Sequence, residues 1–327
     1  MTPGRLIASA RPLVLASLIA AAGLALASCD TVGPRDAAPE VTMASAPEQL
    51  LADVRTLSAD DMEGRDTGSP GGERARTYIV SRLEALGIEA PLVGRLQTFQ
   101  GDARTPDGWK TYHGTNILGL IPGTRVGDRY IVVSAHYDHL GVREGLIYNG
   151  ADDNASGVAT MLELAARLKA NPPEHSVLIV AFDGEERDLM GAKHFVQAPP
   201  TPLSSISLNL NFDMTARAET DGHLWVTGTY QHPDFKPILA GIAPIGAVSL
   251  AFGKDTPQDL GENNWVDASD QGPFHDAGVP FLYLGVDYHP DYHRPSDDFE
   301  RITPAVFAAS TELAIQAFRA LDGALDR

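Results

Sequence analysis

The sequence predicts an α/β protein, built as an α/β/α sandwich around a mostly parallel mixed sheet. Short apolar runs rich in β-forming residues alternate along the chain with longer segments that have helical spacing. The short runs are apolar at consecutive positions, which is typical of strands covered by helices on both faces. This alternation favours a parallel sheet with helices packed against both of its sides.

The predicted elements follow one another from the amino-terminal third of the chain to its end. Apolar spacing predicts a first helix over residues 73–86, and Gly87 stands where a helix carboxyl cap belongs. The same spacing predicts further helices over residues 156–169 and 304–321. Strands are predicted at residues 130–135, 177–182, 206–212 and 281–284.

The first 28 residues have the pattern of a secretory signal. Arg5 and Arg11 precede an apolar stretch over residues 12–27. Cys29, the only cysteine, follows Leu26-Ala27-Ser28 in a pattern that resembles the lipobox of bacterial lipoproteins. The resemblance implies cleavage before Cys29, acylation of its thiol and a lipid anchor in the bacterial cell envelope, with the protein facing the periplasm. A plain signal peptide and an uncleaved membrane anchor are the alternatives, although the stretch is short for a span of ~20 residues.

The remaining chain is expected to form a tether and one domain. Residues 29–46 contain Pro and Gly without an apolar period and predict a flexible tether, and residues 47–327 predict one folded domain. With 43 acidic and 25 basic side chains, the net charge of −18 argues against a nucleic-acid partner. A single cysteine excludes both an internal disulfide and a cysteine-based metal site.

Residues that can bind metal ions stand at the ends of the predicted strands. The ends of parallel strands meet at one edge of an open sheet, so these side chains are expected to converge there. They are imidazoles and carboxylates, whose donors suit zinc or another divalent ion such as cobalt or manganese. The set comprises His136, Glu185, Glu186, Asp213 and His293, which follow predicted strands, and Asp152, which stands just before a predicted helix.

Five segments of the chain carry a family resemblance. Together, and in this order, they resemble the metal-site motifs of metallopeptidase family 28, the di-zinc aminopeptidases of bacterial leucyl-aminopeptidase type. The similarity covers roughly residues 50–320 and implies the zinc-peptidase fold, two zinc ions per chain and a peptide substrate with a free amino terminus. The segments are residues 135–141 (AHYDHLG), 150–157 (GADDNASG), 182–186 (FDGEE), 211–214 (NFDM) and 292–297 (YHRPSD).

The resemblance implies a role for each metal-binding residue. Asp152 would bridge the two zinc ions, as a carboxylate with two oxygens can in two-metal hydrolases. His136 and Asp213 would complete one zinc site. Glu186 and His293 would complete the other, with His289 as the competing imidazole for the position of His293.

Other residues are expected to assist these ligands. The resemblance implies that Glu185 is the general base, and the sequence agrees, because neighbouring glutamates after a strand point in different directions and one stays free to accept a proton. Asp138 is predicted to hold the second ring nitrogen of His136. Asp153 is expected to be structural, through a cis Asp152-Asp153 peptide that resembles the family's. Asp297 is expected either to give similar support or to cap a following helix.

Alternatives to the aminopeptidase hypothesis remain at this point. Glutaminyl cyclases share the fold but are single-zinc transferases, and a non-catalytic binding lipoprotein could also use it. Gln271 stands where relatives commonly have His or Tyr, which places oxyanion assistance from this position in doubt. A carboxypeptidase would need a cation aimed at a terminal carboxylate, for which the candidates are Arg143, Arg187, Arg217 and Arg294.

Overall fold

The computed structural model describes residues 46–105 and 108–326. The predicted leader and the tether up to residue 45 lie outside the described residues. Within the described part of the chain, no helix combines the length and the apolarity that crossing a membrane requires.

Ten strands and seven α-helices make up the described fold. The strands are β1 (Leu96–Thr105), β2 (Gly108–Ile121), β3 (Val126–His136), β4 (Gly141–Arg143), β5 (Leu146–Tyr148), β6 (His175–Phe182), β7 (Ile206–Phe212), β8 (His223–Thr227), β9 (Ser249–Phe252) and β10 (Phe281–Gly285). The helices are α1 (Ala46–Leu57), α2 (Pro70–Ala85), α3 (Gly157–Ala170), α4 (Met190–Gln197), α5 (Phe235–Leu239), α6 (Gln271–Asp276) and α7 (Pro304–Asp322).

Eight strands form one mixed sheet in the order β1-β2-β6-β3-β7-β10-β8-β9. Its central strands β6, β3, β7 and β10 run parallel. On one side β2 pairs antiparallel with both β6 and β1, and on the other β8 pairs antiparallel with β10 and parallel with β9. The four central strands therefore present their carboxyl ends at the same edge of the sheet, which is where ligands bind in open α/β sheets.

Helices cover both faces of this sheet, which confirms the predicted sandwich. Alternate residues of a strand point to opposite faces, and in β3 Ile131 and Val133 join the cluster of α1, α2, α3, α5 and α7. Val132, between them, joins the smaller cluster formed with Phe195 of α4 and Phe274 of α6. Apolar residues at consecutive positions thus supply two cores.

The predicted elements are present, with shifted ends and additional edge strands. The first predicted helix begins three residues earlier, as α2, because the Ser69 side chain accepts a hydrogen bond from the Gly72 N–H at 3.1 Å and Pro70 occupies the first helical position. The sequence reasoning missed the long hairpin of β1 and β2, whose exposed positions dilute the apolar signal.

A buried ionic contact joins the start of β6 to the end of α7. Asp322 accepts hydrogen bonds from the backbone N–H of Glu174 and of His175, at 2.8 and 2.9 Å, and its Oδ1 lies 2.9 Å from Nδ1 of His175. Burial lowers the pKa of His175, but its contacts with Asp322 and Asp326 outweigh burial and raise it above the ordinary value. Burial raises the pKa of Asp322, but the hydrogen bonds from His175 and from the Glu174 N–H outweigh burial and lower it.

We expect Asp322→Asn to reduce the free energy of unfolding by about 1.5–3 kcal/mol, the usual contribution of hydrogen bonds to a charged group. The loss should be largest between about pH 4 and 6.5, the ordinary pKa values of Asp and His. It should shrink at lower pH, as Asp322 is protonated, and at higher pH, as His175 loses its proton. Urea unfolding across this range at fixed zinc concentration measures it, with the exposed Asp128→Asn as control; a pH-independent difference would contradict the assignment.

Candidate metal centre

The structure brings two sets of metal-binding side chains together at the carboxyl edge of the central strands. His136 ends β3, Asp213 follows β7, and Asp153 lies in the turn that precedes α3. The Nε2 atom of His136 lies 3.2 Å from Oδ1 of Asp213 and 3.4 Å from Oδ1 of Asp153. These three residues form the first group of potential ligands.

The second group is built on the other oxygen of Asp153. Its Oδ2 atom lies 3.1 Å from Nε2 of His293, which in turn lies 3.5 Å from Oε1 of Glu186. His139 lies beside the same glutamate, with Nδ1 2.8 Å from Oε1. One carboxylate therefore faces both groups, and two imidazoles approach the second.

The prediction that Asp152 lies between the groups is wrong, because the structure gives that position to Asp153. The Asp152 carboxylate accepts hydrogen bonds from Ser156 Oγ at 2.9 Å and from the Ala216 N–H at 2.7 Å, and lies 3.1 Å from Nε2 of His289. Adjacent side chains in this non-helical turn point to different sides, so only one of the two aspartates reaches the cluster. The cis peptide bond is Asp153-Asn154, not the expected Asp152-Asp153.

His289 and His293, which compete for one ligand position, contact different aspartates of the turn before α3. His289 pairs with Asp152 outside the cluster, whereas His293 lies against Asp153 and Glu186, as the sequence pattern predicted. His139, in contrast, was missed, although it lies three positions after His136. It is fully buried, and Gly150 permits its approach: a Cβ atom at Gly150, which has a φ of 55°, would lie 2.5 Å from the imidazole ring.

Asp138 supports the cluster through contacts other than those predicted. Nδ1 of His136 lies 3.1 Å from the backbone oxygen of Asp138, whereas the Asp138 carboxylate is 3.8 Å away. That carboxylate instead accepts hydrogen bonds from the backbone N–H groups of Glu185 and Glu186, at 3.0 and 3.3 Å, and from the Thr67 hydroxyl at 3.1 Å. Asp138 thus fixes the segment that carries both glutamates.

Glu185 and Glu186 point to different places, as expected for neighbours after a strand. Glu186 belongs to the second group, while Glu185 lines the adjoining cavity with Oε2 4.0 Å from Nε2 of His136. Burial raises the pKa of Glu185 well above its ordinary value, and Glu186 and Asp213 raise it further against the opposing effect of His136.

Two buried residues hold the loops beneath the cluster. Arg65 is fully buried and donates hydrogen bonds to the backbone oxygens of Leu57, Tyr137, Asn149 and Gly150, at 2.6–2.9 Å. Burial lowers the pKa of its guanidinium to about 10, against the opposing effect of Asp153 and other nearby carboxylates. The loops that carry the first and second motifs are therefore tied to one cation.

Asp297 provides the matching anchor for the turn before α3. Its carboxylate accepts hydrogen bonds from the N–H groups of Asp152 and Asp153, at 3.0–3.1 Å. Of the two roles expected for Asp297, the structure therefore supports the one that holds the metal-site turn rather than a helix cap.

The lone pairs on the imidazole nitrogens and carboxylate oxygens of this cluster are arranged to bind a cation. Since the backbone oxygen of Asp138 can only accept, Nδ1 of a neutral His136 carries the proton and Nε2 directs a lone pair at two carboxylates. Both ring nitrogens of His139 and Oε1 of Glu186 are buried without an aligned hydrogen bond, despite the short distance between them. Imidazole and carboxylate donors are the ligands that zinc prefers when cysteine is absent.

A cavity of about 250 Å³ opens beside the cluster. Its polar side is formed by the two ligand groups together with Glu185 and Asp188. Its apolar side is formed by Met214, Trp265, Ala268, Tyr283, Val286, Tyr288 and Tyr292. Fold and site together define the class, an α/β/α protein with two groups of potential divalent-metal ligands beside a partly open cavity.

Comparison with known proteins narrows the class to a family. A model described as peptidase family M28 matches residues 116–318. The chain belongs to this family, whose zinc centre the His, Asp and Glu groups described above fit.

Relatives and solved structures agree with this assignment. Leupeptin-inactivating enzyme 1 of Streptomyces exfoliatus is 27% identical over 295 residues, covering 88% of this chain and 60% of the relative. Aminopeptidase YwaD of Bacillus subtilis is 29% identical over 199 residues, covering 58% and 40%. The chain thus spans 60% or less of the length of these two relatives.

The structural neighbours show the shared fold. The zinc aminopeptidase BSAP of Bacillus subtilis superposes with a TM-score of 0.66 at 18% identity, over 83% of this chain and 94% of that one. A glutaminyl cyclase of Porphyromonas gingivalis superposes with a TM-score of 0.64 at 17% identity, over 83% and 97%. The fold alone does not separate these two activities.

Proposed function

We propose that this protein is a zinc-dependent aminopeptidase that releases residues one at a time from a free amino end. The observation that carries the proposal is the charge of the cavity. Five carboxylates line it, from Asp153, Glu185, Glu186, Asp188 and Asp213, and none of its lining residues in the described part of the chain is Lys or Arg. Two divalent ions would offset four of these five negative charges, and the cavity would remain net negative, which favours an α-ammonium group over a terminal carboxylate.

Residues of both groups would hold two ions. Asp153 would face both, His136 and Asp213 would hold one, and Glu186 with His293 the other, where His139 is the second imidazole available. Bound zinc ions would polarise the scissile carbonyl and lower the pKa of a coordinated water.

Glu185 stands apart from these ligands and faces the cavity. In that position its carboxylate would accept the proton of the attacking water and pass it to the departing amine. Its backbone N–H is held by Asp138, so the position of the base relative to His136 is set by the loops rather than by the substrate.

Two of the four arginines that would support a carboxypeptidase are engaged elsewhere, and none of the four lines the cavity. Arg217, the nearest in sequence to Asp213, pairs with Glu219 at 2.8 Å and with Asp291 at 3.1 Å. Arg187 pairs with Asp66 and lies over the ring of Tyr112. Neither lines the cavity.

Two peptides that differ only in acetylation of the amino terminus test the proposal. We expect the free peptide to be trimmed from its amino end and the acetylated one to resist, because acetylation removes the cation that the carboxylates bind. Mass spectrometry of the products over time measures the outcome. Equal cleavage of both peptides, or release of the carboxy-terminal residue first, would reject the aminopeptidase while leaving a metal-dependent hydrolase.

The cyclase alternative predicts a different metal stoichiometry. A glutaminyl-peptide cyclotransferase of Boiga irregularis is 35% identical over 136 residues, covering 37% of this chain. A single bound ion at saturation, with full activity retained in Asp213→Asn, would favour a cyclase-like centre. The two groups that share Asp153 support the dinuclear alternative.

We also propose that Cys29 is acylated and anchors the protein to a membrane facing the periplasm, on the strength of the lipobox-like sequence alone. Mass spectrometry of the amino-terminal peptide from membranes of a bacterial host should then show a diacylated Cys29. Cys29→Ser should release the chain from the membrane fraction or block its processing. A mature chain that begins at another residue and remains in the soluble fraction would contradict the anchor.

A further inference from the structure

Trp265 is one of the apolar residues that line the cavity, which we call the apolar wall: Met214, Trp265, Ala268, Tyr283, Val286, Tyr288 and Tyr292. Its ring is buried, with only 2% of the residue exposed, and packs edge-on against Tyr283 and Tyr288 at centroid distances of 5.6 and 5.9 Å. The residue lies outside the helices and strands of the fold, in the segment between β9 and α6. Its position is therefore set by hydrogen bonds and ring contacts with neighbouring segments, including the indole N–H bond to the backbone oxygen of Glu262 at 3.0 Å, rather than by a regular backbone ladder.

Lys254 contacts Trp265 through both its backbone oxygen and its side-chain ammonium. Its backbone oxygen accepts a hydrogen bond from the Trp265 N–H at 2.7 Å, and its Nζ atom lies 4.8 Å from the centre of the Trp265 ring. The same ammonium lies 5.2 Å from the ring of Trp225 in β8. An ammonium between two indole faces is attracted by both, which ties the loop to the sheet.

The ammonium also reaches the second aromatic residue of the wall. Its Nζ atom donates to Oδ2 of Asp287 at 2.8 Å, and Oδ1 of Asp287 accepts the backbone N–H of Tyr288 at 2.8 Å. Lys254 does not line the cavity itself. It therefore acts on the cavity through Trp265 and Tyr288.

Gln271 binds the backbone oxygen of Trp265, whereas Lys254 binds its backbone N–H. It is fully buried, its Nε2 donates to the backbone oxygen of Trp265 at 2.7 Å, and its Oε1 accepts from Nδ2 of Asn211 at 3.1 Å. Gln271 is not among the residues that line the cavity, so it is not placed to donate to a substrate oxyanion. It instead links the wall to β7, the strand that leads into Asp213.

We propose that Lys254 is a positioning residue that, together with Gln271, fixes Trp265 and Tyr288 and so sets the size of the pocket for the side chain of the residue being released. The inference rests on the proposed aminopeptidase function. Loss of the ammonium would leave the wall free to shift, and the pocket would then discriminate less between large and small side chains.

Hydrolysis of alanine, leucine and phenylalanine anilides by Lys254→Met and Lys254→Arg tests this role. We expect Lys254→Met to raise KM about tenfold for the leucine and phenylalanine substrates, the usual scale for a changed apolar pocket, with little change for alanine, in kcat or in zinc content. Lys254→Arg keeps a cation that can pair with Asp287 and should restore most of the difference. Lys110→Met, which removes an exposed lysine 4.4 Å from the ring of Tyr112, is the matched control.

A second measurement does not depend on activity. In a Trp109→Phe, Trp225→Phe background, acrylamide quenching reports on Trp265 alone, and we expect Lys254→Met to make it at least about twice as accessible while Lys254→Arg does not. Asp287→Asn should shift quenching in the same direction, which keeps the test available if Lys254→Met fails to fold.

The outcomes separate the two proposals. If no anilide is hydrolysed by the unmodified protein, the aminopeptidase proposal fails, and the quenching data still decide the role of Lys254. Unchanged quenching in both Lys254→Met and Asp287→Asn, or an equal fall in kcat for all three substrates, would overturn the positioning role.

Discussion

Asp153→Asn is expected to lower bound zinc from about two ions per chain to one or fewer and to reduce turnover by about 10³-fold, equivalent to about 4 kcal/mol of transition-state stabilisation. The reason is that Asp153 alone among the described residues belongs to both ligand groups. An amide has a single acceptor oxygen and no charge, so it cannot serve both. Metal analysis after dialysis, together with kcat on leucine anilide, measures the effect.

Asp152→Asn is the matched control, because it makes the same chemical change one residue away. The Asp152 carboxylate is occupied by Ser156, Ala216 and His289, so this variant should keep both ions and most of its activity. It should lose about 1–3 kcal/mol of stability through a weakened buried hydrogen-bond network. Loss of both ions in Asp152→Asn and retention in Asp153→Asn would reverse the assignment.

Glu185→Gln is expected to reduce kcat by roughly 10²–10⁴-fold with zinc content unchanged. Glutamine keeps the shape of the side chain but cannot accept a proton, and the backbone contact between Glu185 and Asp138 is preserved in the variant. Titration of the purified variant with zinc and steady-state kinetics at saturating substrate measure the two quantities.

The neighbouring glutamate provides the contrast for this experiment. Glu186→Gln should lose metal, since Glu186 belongs to the second ligand group, whereas Glu84→Gln on the exposed side of α2 should change neither property. Loss of zinc in Glu185→Gln would show that the two glutamates have exchanged roles.

The sheet and its catalytic edge were readable in the sequence because they depend on local patterns. Runs such as residues 177–182 are apolar at every position, and the structure buries both of their faces. Polar residues directly after such runs, including His136 and Asp213, could be placed at one edge, because parallel strands end together. The strand β9 at one edge of the sheet and its neighbour β8 escaped prediction, since short, partly buried segments carry little periodic signal.

Local patterns along the chain were sufficient to infer the fold class, the chemistry of the ligands and the edge at which they meet. Which of two adjacent aspartates faces both groups is visible only in the folded chain, because the turn before α3 is held by long-range contacts from Arg65 and Asp297 that sequence spacing does not contain. The same holds for His139, whose place beside Glu186 depends on how two loops pack, and for Trp265, which Lys254 and Gln271 fix from opposite sides. Side-chain direction in irregular segments is set by partners distant in the chain, and there local pattern is uninformative.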